Sequence, residues 1–286
     1  FMIYGVMQIH RRSLQEIRPW LYQWRKKPGG LSYFFRSDSP VIFTIVLLCL
    51  IAVAGLVYLA VLAGGVEEMC LQTFFGFYAL KFLSGSKDGT SFINCPFDRR
   101  RNGAVFGEGA CLFALEDYEF ARARKARLLG EIVSFGYSFD PFRINKYNPR
   151  GTGLKAAMRD ALTHARMEPK DIDGIFANAN STPAADKIEA QAIGEVFGEH
   201  SKKIPVTAVK SMIGECYSVS GAFSLGAALV SLTENFIPPT INYQEPDPDC
   251  GLDVVAGKSR EAGVRNVMAV NFSPSGSNGC VVVRKI

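Results

Sequence analysis

Residues 172–232 read IDGIFANANSTPAADKIEAQAIGEVFGEHSKKIPVTAVKSMIGECYSVSGAFSLGAALVSL. Two short apolar runs, 172–177 (IDGIFA) and 204–209 (IPVTAV), alternate here with two helix-like runs. Short runs of this kind predict strands. Residues 186–197 (DKIEAQAIGEVF) predict a helix, and 221–232 (GAFSLGAALVSL) a nearly all-apolar one. A helix apolar on every side belongs in an interior. Strand and helix in alternation argue for a layered α/β fold. A polar loop follows each strand: Asn178-Ala179-Asn180-Ser181-Thr182-Pro183 after the first, Lys210-Ser211-Met212-Ile213-Gly214-Glu215 after the second. Loops at strand ends commonly carry the sites of open α/β sheets.

The pattern extends outward. Residues 153–166 have helical apolar spacing, and 266–272 and 280–284 are β-branched runs flanking Ser275-Gly276-Ser277-Asn278-Gly279. Three polar loops thus end three strands. They either converge on one pocket or are three ordinary connections, and the sequence leaves both open.

Upstream the character changes. Residues 41–66 (VIFTIVLLCLIAVAGLVYLAVLAGGV) contain no charged residue. About 20 apolar residues suffice to cross a bilayer. Arg11, Arg12, Arg18, Arg25, Lys26, Lys27 and Arg36 precede them, against only Glu16 and Asp38, which would keep that side in the cytoplasm. The expectation is a transmembrane helix over 40–62. The competing reading is a buried helix followed by a buried strand around Val61-Leu62-Ala63. Residues 1–39 are basic and aromatic (Trp20, Tyr22, Trp24, Tyr33, Phe34, Phe35), suited to a membrane-interface helix broken at Pro28-Gly29-Gly30. Nucleic acid is not an expected partner. Three zones result: 1–39, 40–62 and an α/β domain over 63–286.

Chemistry-bearing residues are sparse. The seven cysteines, at 49, 70, 95, 111, 216, 250 and 280, show no metal-ligand spacing and suit a reducing compartment. Cys49 sits in the apolar run as a filler. None of the three histidines (His10, His164, His200) adjoins a candidate nucleophile in sequence, so all read as structural or solvated. Gly107-Glu108-Gly109-Ala110 lacks the remaining features of a phosphate loop and reads as a tight turn between packed elements. No cofactor and no metal are expected.

Taken in order, several motifs of the chain resemble the β-ketoacyl synthase family over about 61–286. They include Leu62-Ala63-Gly64-Gly65, Pro96-Phe97-Asp98 with Arg101-Asn102-Gly103, and Gly107-Glu108-Gly109-Ala110. Ser181-Thr182-Pro183 with Asp186 and Glu189, then Lys210-Ser211-Met212 with Gly214, continue the series. Ile237-Pro238-Pro239-Thr240-Ile241-Asn242, Gly251-Leu252-Asp253 and Gly276-Ser277-Asn278 close it. The resemblance implies the C-terminal half of a thiolase-like, layered α/β/α fold. It further implies a site with a nucleophilic cysteine from the first half and two histidines from the second. The cysteine would carry the acyl chain as a thioester, and the histidines would stabilise enolate charge.

The departures bear on activity. Asn178 stands where the family's first histidine lies, in H-G-T-S-T-P. Glu215 stands at the second, in K-S-M-T-G-H, while Lys210 remains. Asparagine carries no proton at neutral pH, and an anionic glutamate would repel an enolate. The family's G-F-G-G-T-N loop becomes Ser273-Pro274-Ser275-Gly276-Ser277-Asn278, with Pro274 at the gating phenylalanine. Asn178, Glu215 and Lys210 are therefore expected to be vestigial catalytic positions. Asn180, Pro274, Ser275 and Gly276 are the substrate-pocket candidates, and an ion pair is expected between Lys210 and Glu189. The N-terminal third is expected not to be ketosynthase structure.

Loss of both histidines, with Ile204-Pro205-Val206-Thr207, Cys216-Tyr217-Ser218 and Gly251-Leu252-Asp253-Val254-Val255, resembles the chain-length factor of type II polyketide synthases. That resemblance implies a silent subunit for polyketide or fatty acid biosynthesis. Its partners would be an active ketosynthase and, through it, an acyl carrier protein, in the cytoplasm. The alternatives are an active 3-oxoacyl-[acyl-carrier-protein] synthase (an acyltransferase) with an incomplete N-terminal half, or a membrane-anchored scaffold. A half-fold would also expose an apolar face that needs a partner.

Overall fold

The computed structural model describes residues 2–4, 60–86, 93–142 and 146–286. The expectations for 5–59, including the interface helix and Cys49, lie outside the described residues. The seven-residue end of the charge-free run, 60–66, lies inside them, followed by Glu67. It forms the strand β2 (Ala60–Glu67), paired antiparallel with β3 (Gly109–Glu116) from Ala60↔Glu116 to Glu67↔Gly109. The expected membrane helix therefore does not include residues 60–66, and the zone boundary at 62/63 falls within β2. Alternation of Val61, Ala63 and Gly65 with Leu62, Gly64 and Val66 suits a strand, and glycines are poor in helix interiors. Among the described residues no helix is long and apolar enough to cross a membrane.

The described strands are β1 (Met2–Tyr4), β2, β3, β4 (Glu131–Phe139), β5 (Gly174–Phe176) and β6 (Pro205–Thr207). They continue with β7 (Phe236–Ile237), β8 (Asp253–Val254), β9 (Arg260–Glu261), β10 (Asn266–Phe272) and β11 (Ser277–Arg284). Nine of them form one sheet, ordered β2-β3-β1-β4-β11-β10-β5-β6-β8. The strands β10, β5, β6 and β8 run parallel, whereas β10–β11, β11–β4 and β3–β2 pair antiparallel. The described α-helices are α1 (Leu71–Ala79), α2 (Tyr118–Ala123), α3 (Thr152–Ala165), α4 (Pro183–Phe197), α5 (Lys210–Ile213) and α6 (Ser220–Glu234).

Period-two alternation divides the core between the two faces of the sheet. Met268, Val270 and Phe272 of β10 join Leu154, Met158, Ile193 and Phe197 from α3 and α4 in one cluster. Val267 and Ala269 join Leu229 and Leu232 of α6 in the other. This is the expected layered α/β/α arrangement. The helix α3 packs closely on β4, where a methyl on Gly136 would come 1.9 Å from the Ala157 carbonyl.

The expected elements keep their core, and several shift their ends. α4 begins at Pro183, because proline suits the first helical turn. β11 extends back to Ser277, and β10 spans 266–272 as expected. The apolar helix α6 is buried on one side only, through Ser220, Ser224, Ala228, Leu229, Ser231 and Leu232, while Val230 is exposed. Gly221, Ala222 and Leu225 of the same helix, half-buried, border an open apolar groove of about 410 Å³ across the sheet.

Candidate functional site

Because β5, β6 and β10 are parallel, the residues after each strand emerge at one edge of the sheet. Asn178 and Asn180 follow β5, and Lys210 follows β6. Phe272 ends β10. The three loops do converge there. The Asn178 side-chain amide donates to the Phe272 carbonyl (3.1 Å), and the Lys210 ammonium donates to Asn178 Oδ1 (2.8 Å).

Gly214 brings Glu215 into this cluster. Its φ of 81° ends α5 in a conformation that side chains disfavour. Its backbone packs directly on Gly107, where a methyl would come 2.0 Å from the Ile213 carbonyl. Gly107-Glu108-Gly109 therefore serves close backbone approach, as the lead-in to β3 and not as the tight turn expected. The Glu215 amide then donates to the Val105 carbonyl (2.7 Å) and its side chain turns inward.

There the carboxylate has four protein donors. Oε2 accepts from Lys210 Nζ (2.8 Å) and Asn180 Nδ2 (2.7 Å). Oε1 accepts from Ser220 Oγ (2.6 Å) and the Tyr217 amide (3.1 Å). Burial pushes the Glu215 pKa up, but the Lys210 charge and the Lys210, Ser220 and Asn180 donors outweigh it, leaving a net lowering. Lys210 is 2% and Glu215 6% exposed. This is a closed, ionised pair with its oxygens already engaged.

Lys210 thus pairs with Glu215 and not, as expected, with Glu189. Glu189 lies behind Asn178, accepting the Asn178 amide at Oε1 (2.7 Å). Its Oε2 is buried without a hydrogen-bond partner among the described residues. Burial dominates, and its carboxyl is pushed up to about 8. Asp186 is likewise pushed up to about 6 by burial, against donors from Phe97 and Asn180 and the charge of Arg101.

The other motif residues fasten this edge. Ser181 takes a φ of 71°, accepts the Cys95 amide at its hydroxyl (3.1 Å) and the Gly103 amide at its carbonyl (3.0 Å). Asp186 accepts the amides of Phe97 (2.9 Å) and Asn180 (3.0 Å). Buried Asp98 accepts from Arg100 Nε (2.8 Å) and from the amides of Gln244 (2.6 Å) and Glu245 (2.7 Å). Thr240 caps the Ala208 amide (2.9 Å). A run that spacing leaves ambiguous is here a backbone-tying frame.

The pocket candidates are placed differently from one another. Asn180 is buried inside the polar cluster. Pro274 is half-buried and Ser275 exposed in the β10–β11 turn. Gly276 borders a cleft of about 10 Å³ with Asp140, Tyr147, Phe272 and Asn278, which is room for about one water. Among the described residues, Cys95, Cys111, Cys216, Cys250 and Cys280 are buried with thiols pushed up by burial. Cys70 is exposed. His164 Nδ1 meets the Phe135 carbonyl and His200 Nε2 that of Ile172, both at 3.1 Å and outside the cluster. Among the described residues no group of His, Cys, Asp and Glu forms a metal site.

Sequence reading missed Ser220 and Tyr217 as partners of Glu215. A hydroxyl five residues from a buried carboxylate, across the short turn of Cys216, Tyr217, Ser218 and Val219, was the available signal.

Residues 129–244 match the family described as beta-ketoacyl synthase, C-terminal domain. The chain is 36% identical over 228 residues to 3-oxoacyl-[acyl-carrier-protein] synthase 2 of Coxiella burnetii (strain RSA 493 / Nine Mile phase I), covering 79% of this chain and 55% of that protein. The solved ishigamide ketosynthase/chain length factor is 34% identical with a TM-score of 0.74, over 83% of this chain and 56% of the other. The AntDE:AntF structure, a type II PKS acyl-carrier protein with its ketosynthase bound to the hexaketide, is 29% identical with a TM-score of 0.76, over 80% and 56%. The chain spans about half the length of the relatives it matches. The fold is therefore the thiolase-like ketosynthase fold.

Proposed function

Because residues 129–244 are a β-ketoacyl synthase C-terminal domain, in a chain homologous to 3-oxoacyl-[acyl-carrier-protein] synthases, we propose a catalytically silent, chain-length-factor-type role. The chain acts beside an active ketosynthase in fatty acid or polyketide synthesis, and meets acyl carrier protein through that partner. One observation carries the reading: the sealed Lys210–Glu215 pair at the position of the second family histidine. Enolate stabilisation needs donors aimed at developing negative charge. Here the Lys210 ammonium is already spent on Asn178 and Glu215. The Glu215 carboxylate offers only negative charge to an incoming enolate. Asn178 donates its amide to the Phe272 carbonyl rather than to an open space. A ketosynthase/chain length factor among the solved relatives supports the reading.

The test is co-expression with a complete ketosynthase and its acyl carrier protein. The chain is expected to co-purify with the ketosynthase, to yield no condensation product alone, and to alter product length when present. Condensation by the chain alone would establish the active-synthase alternative instead.

A further inference from the structure

We propose that Glu215 is a positioning residue for Tyr217, and that Tyr217 in turn fastens α1 to the body of the protein. The position where the family keeps a catalytic histidine has thus become a structural anchor. This holds whether or not the chain condenses acyl groups.

The α1 helix needs such an anchor, because none of its residues is buried. Its sequence, LQTFFGFYA, is apolar, yet Leu71 and Phe75 face outward. Its ring contacts with the body run through Phe77 and Phe74. Phe77 lies 4.9 Å from the Tyr217 ring and 5.3 Å from Phe106, and Phe74 lies 6.5 Å from Phe106. Phe82, just beyond the helix, lies 6.3 Å from Tyr217. Tyr217 itself lies 5.1 Å from Phe106, so its ring is shared by the whole aromatic cluster.

Tyr217 does not hold this place without cost. Its φ of 37° is in the left-handed region that a tyrosine disfavours. Its buried hydroxyl has no hydrogen-bond partner among the described residues. Neither feature would persist unless the surroundings over-determined it. The Tyr217 amide donates to Glu215 Oε1 (3.1 Å). Lys210, Asn180 and Ser220 aim that carboxylate. On the far side, the Ser218 amide donates to Glu67 Oε2 (3.1 Å) and its hydroxyl to the Val66 carbonyl (2.7 Å). A histidine at 215 offers at most one acceptor nitrogen. It could not serve Lys210, Asn180, Ser220 and the Tyr217 amide together.

Amide hydrogen exchange of the full chain tests this, read over 71–82 against 266–284 as internal reference. Glu215→His is expected to speed exchange over 71–82 by about tenfold or more, with 266–284 unchanged. Tyr217→Phe keeps the ring and removes the stranded hydroxyl, so protection of α1 should be retained. Tyr217→Ala should lose it. Wild-type protection of 71–82 in Glu215→His, or in Tyr217→Ala, would overturn the proposal. If Glu215→His does not fold, Ser220→Ala replaces it. Removing that donor should speed exchange over 71–82 a few-fold, and no change there would overturn the proposal equally.

Discussion

The sheet edge beyond β5, β6 and β10 and the flank of β2, α1 and the outer face of β4 treat solvent in opposite ways. At the edge, charged and amide groups are buried and matched: Lys210 with Glu215 and Asn178, Asn180 with Glu215, Asp186 with the 97 and 180 amides. On the flank, apolar groups are exposed and unmatched. Leu62 is 69%, Leu71 71% and Phe135 66% exposed, with Tyr137 and Phe139 beside Phe135 on the same strand face. Polar groups that could do chemistry are sealed, while surface that water disfavours is left open. Contiguous apolar patches mark association surfaces or aggregation liabilities. The proposed partner-subunit role would draw on this contrast.

The largest expected effect probes the sealed edge. Lys210→Met strands the Glu215 carboxylate in the interior, where loss of one partner of a buried pair costs about 3–5 kcal/mol. Urea unfolding of the variant should show a loss of that order. An unchanged midpoint would mean the edge is not a cohesive unit.

A middle-sized effect depends on pH. The folded Glu189 carboxyl is pushed up from 4.5 to about 8. Between those values the unfolded chain releases this proton and the folded chain keeps it, so stability falls as pH rises across the window. Glu189→Gln removes that slope. Its stabilisation relative to wild type should be greater at pH 8.5 than at pH 5, in paired denaturation curves at about those values. Glu215 has the opposite sign. Its lowered pKa contributes stability that is present above the ordinary glutamate value and lost as pH falls through the folded one. An equal Glu189→Gln effect at both pH values would show that the buried carboxyl stays ionised.

The smallest effect on stability belongs to the flank. Phe135→Lys should change unfolding free energy by less than about 0.5 kcal/mol, as surface substitutions do. It should nonetheless reduce self-association in sedimentation, and weaken co-purification with a ketosynthase. A large stability loss there would mean the strand face is packed and the contrast with the edge is false.

Much of the fold was legible because its strands and helices carry strong local patterns. The β-branched run at 266–272 became β10 without adjustment, and helical spacing placed α3 to within a residue at each end. The charge-free run was harder. Apolarity alone does not distinguish a membrane helix from a sheet strand, and only pairing with β3 settles residues 60–66. The site was legible as positions and not as contacts. Asn178, Lys210 and Glu215 do meet, yet Glu189 was expected as the partner of Lys210 and Glu215 took that role. Asn180, expected to line a pocket, is one of the donors that close it.

By itself the sequence determined the layered class, the motif order and the absence of histidine at 178 and 215. Residue identity decides which groups can carry a proton, and local periodicity decides which segments become strands or helices. The tertiary structure alone decided which group neutralises Lys210, that Glu189 stays behind Asn178 with one oxygen unpaired, and that Tyr217 lies among the phenylalanines of α1. Those facts follow from parallel strands delivering distant loops to one edge, and from Gly214 turning the chain back beneath them. Distances of that kind are set by the packing of whole layers, which no local stretch of sequence encodes.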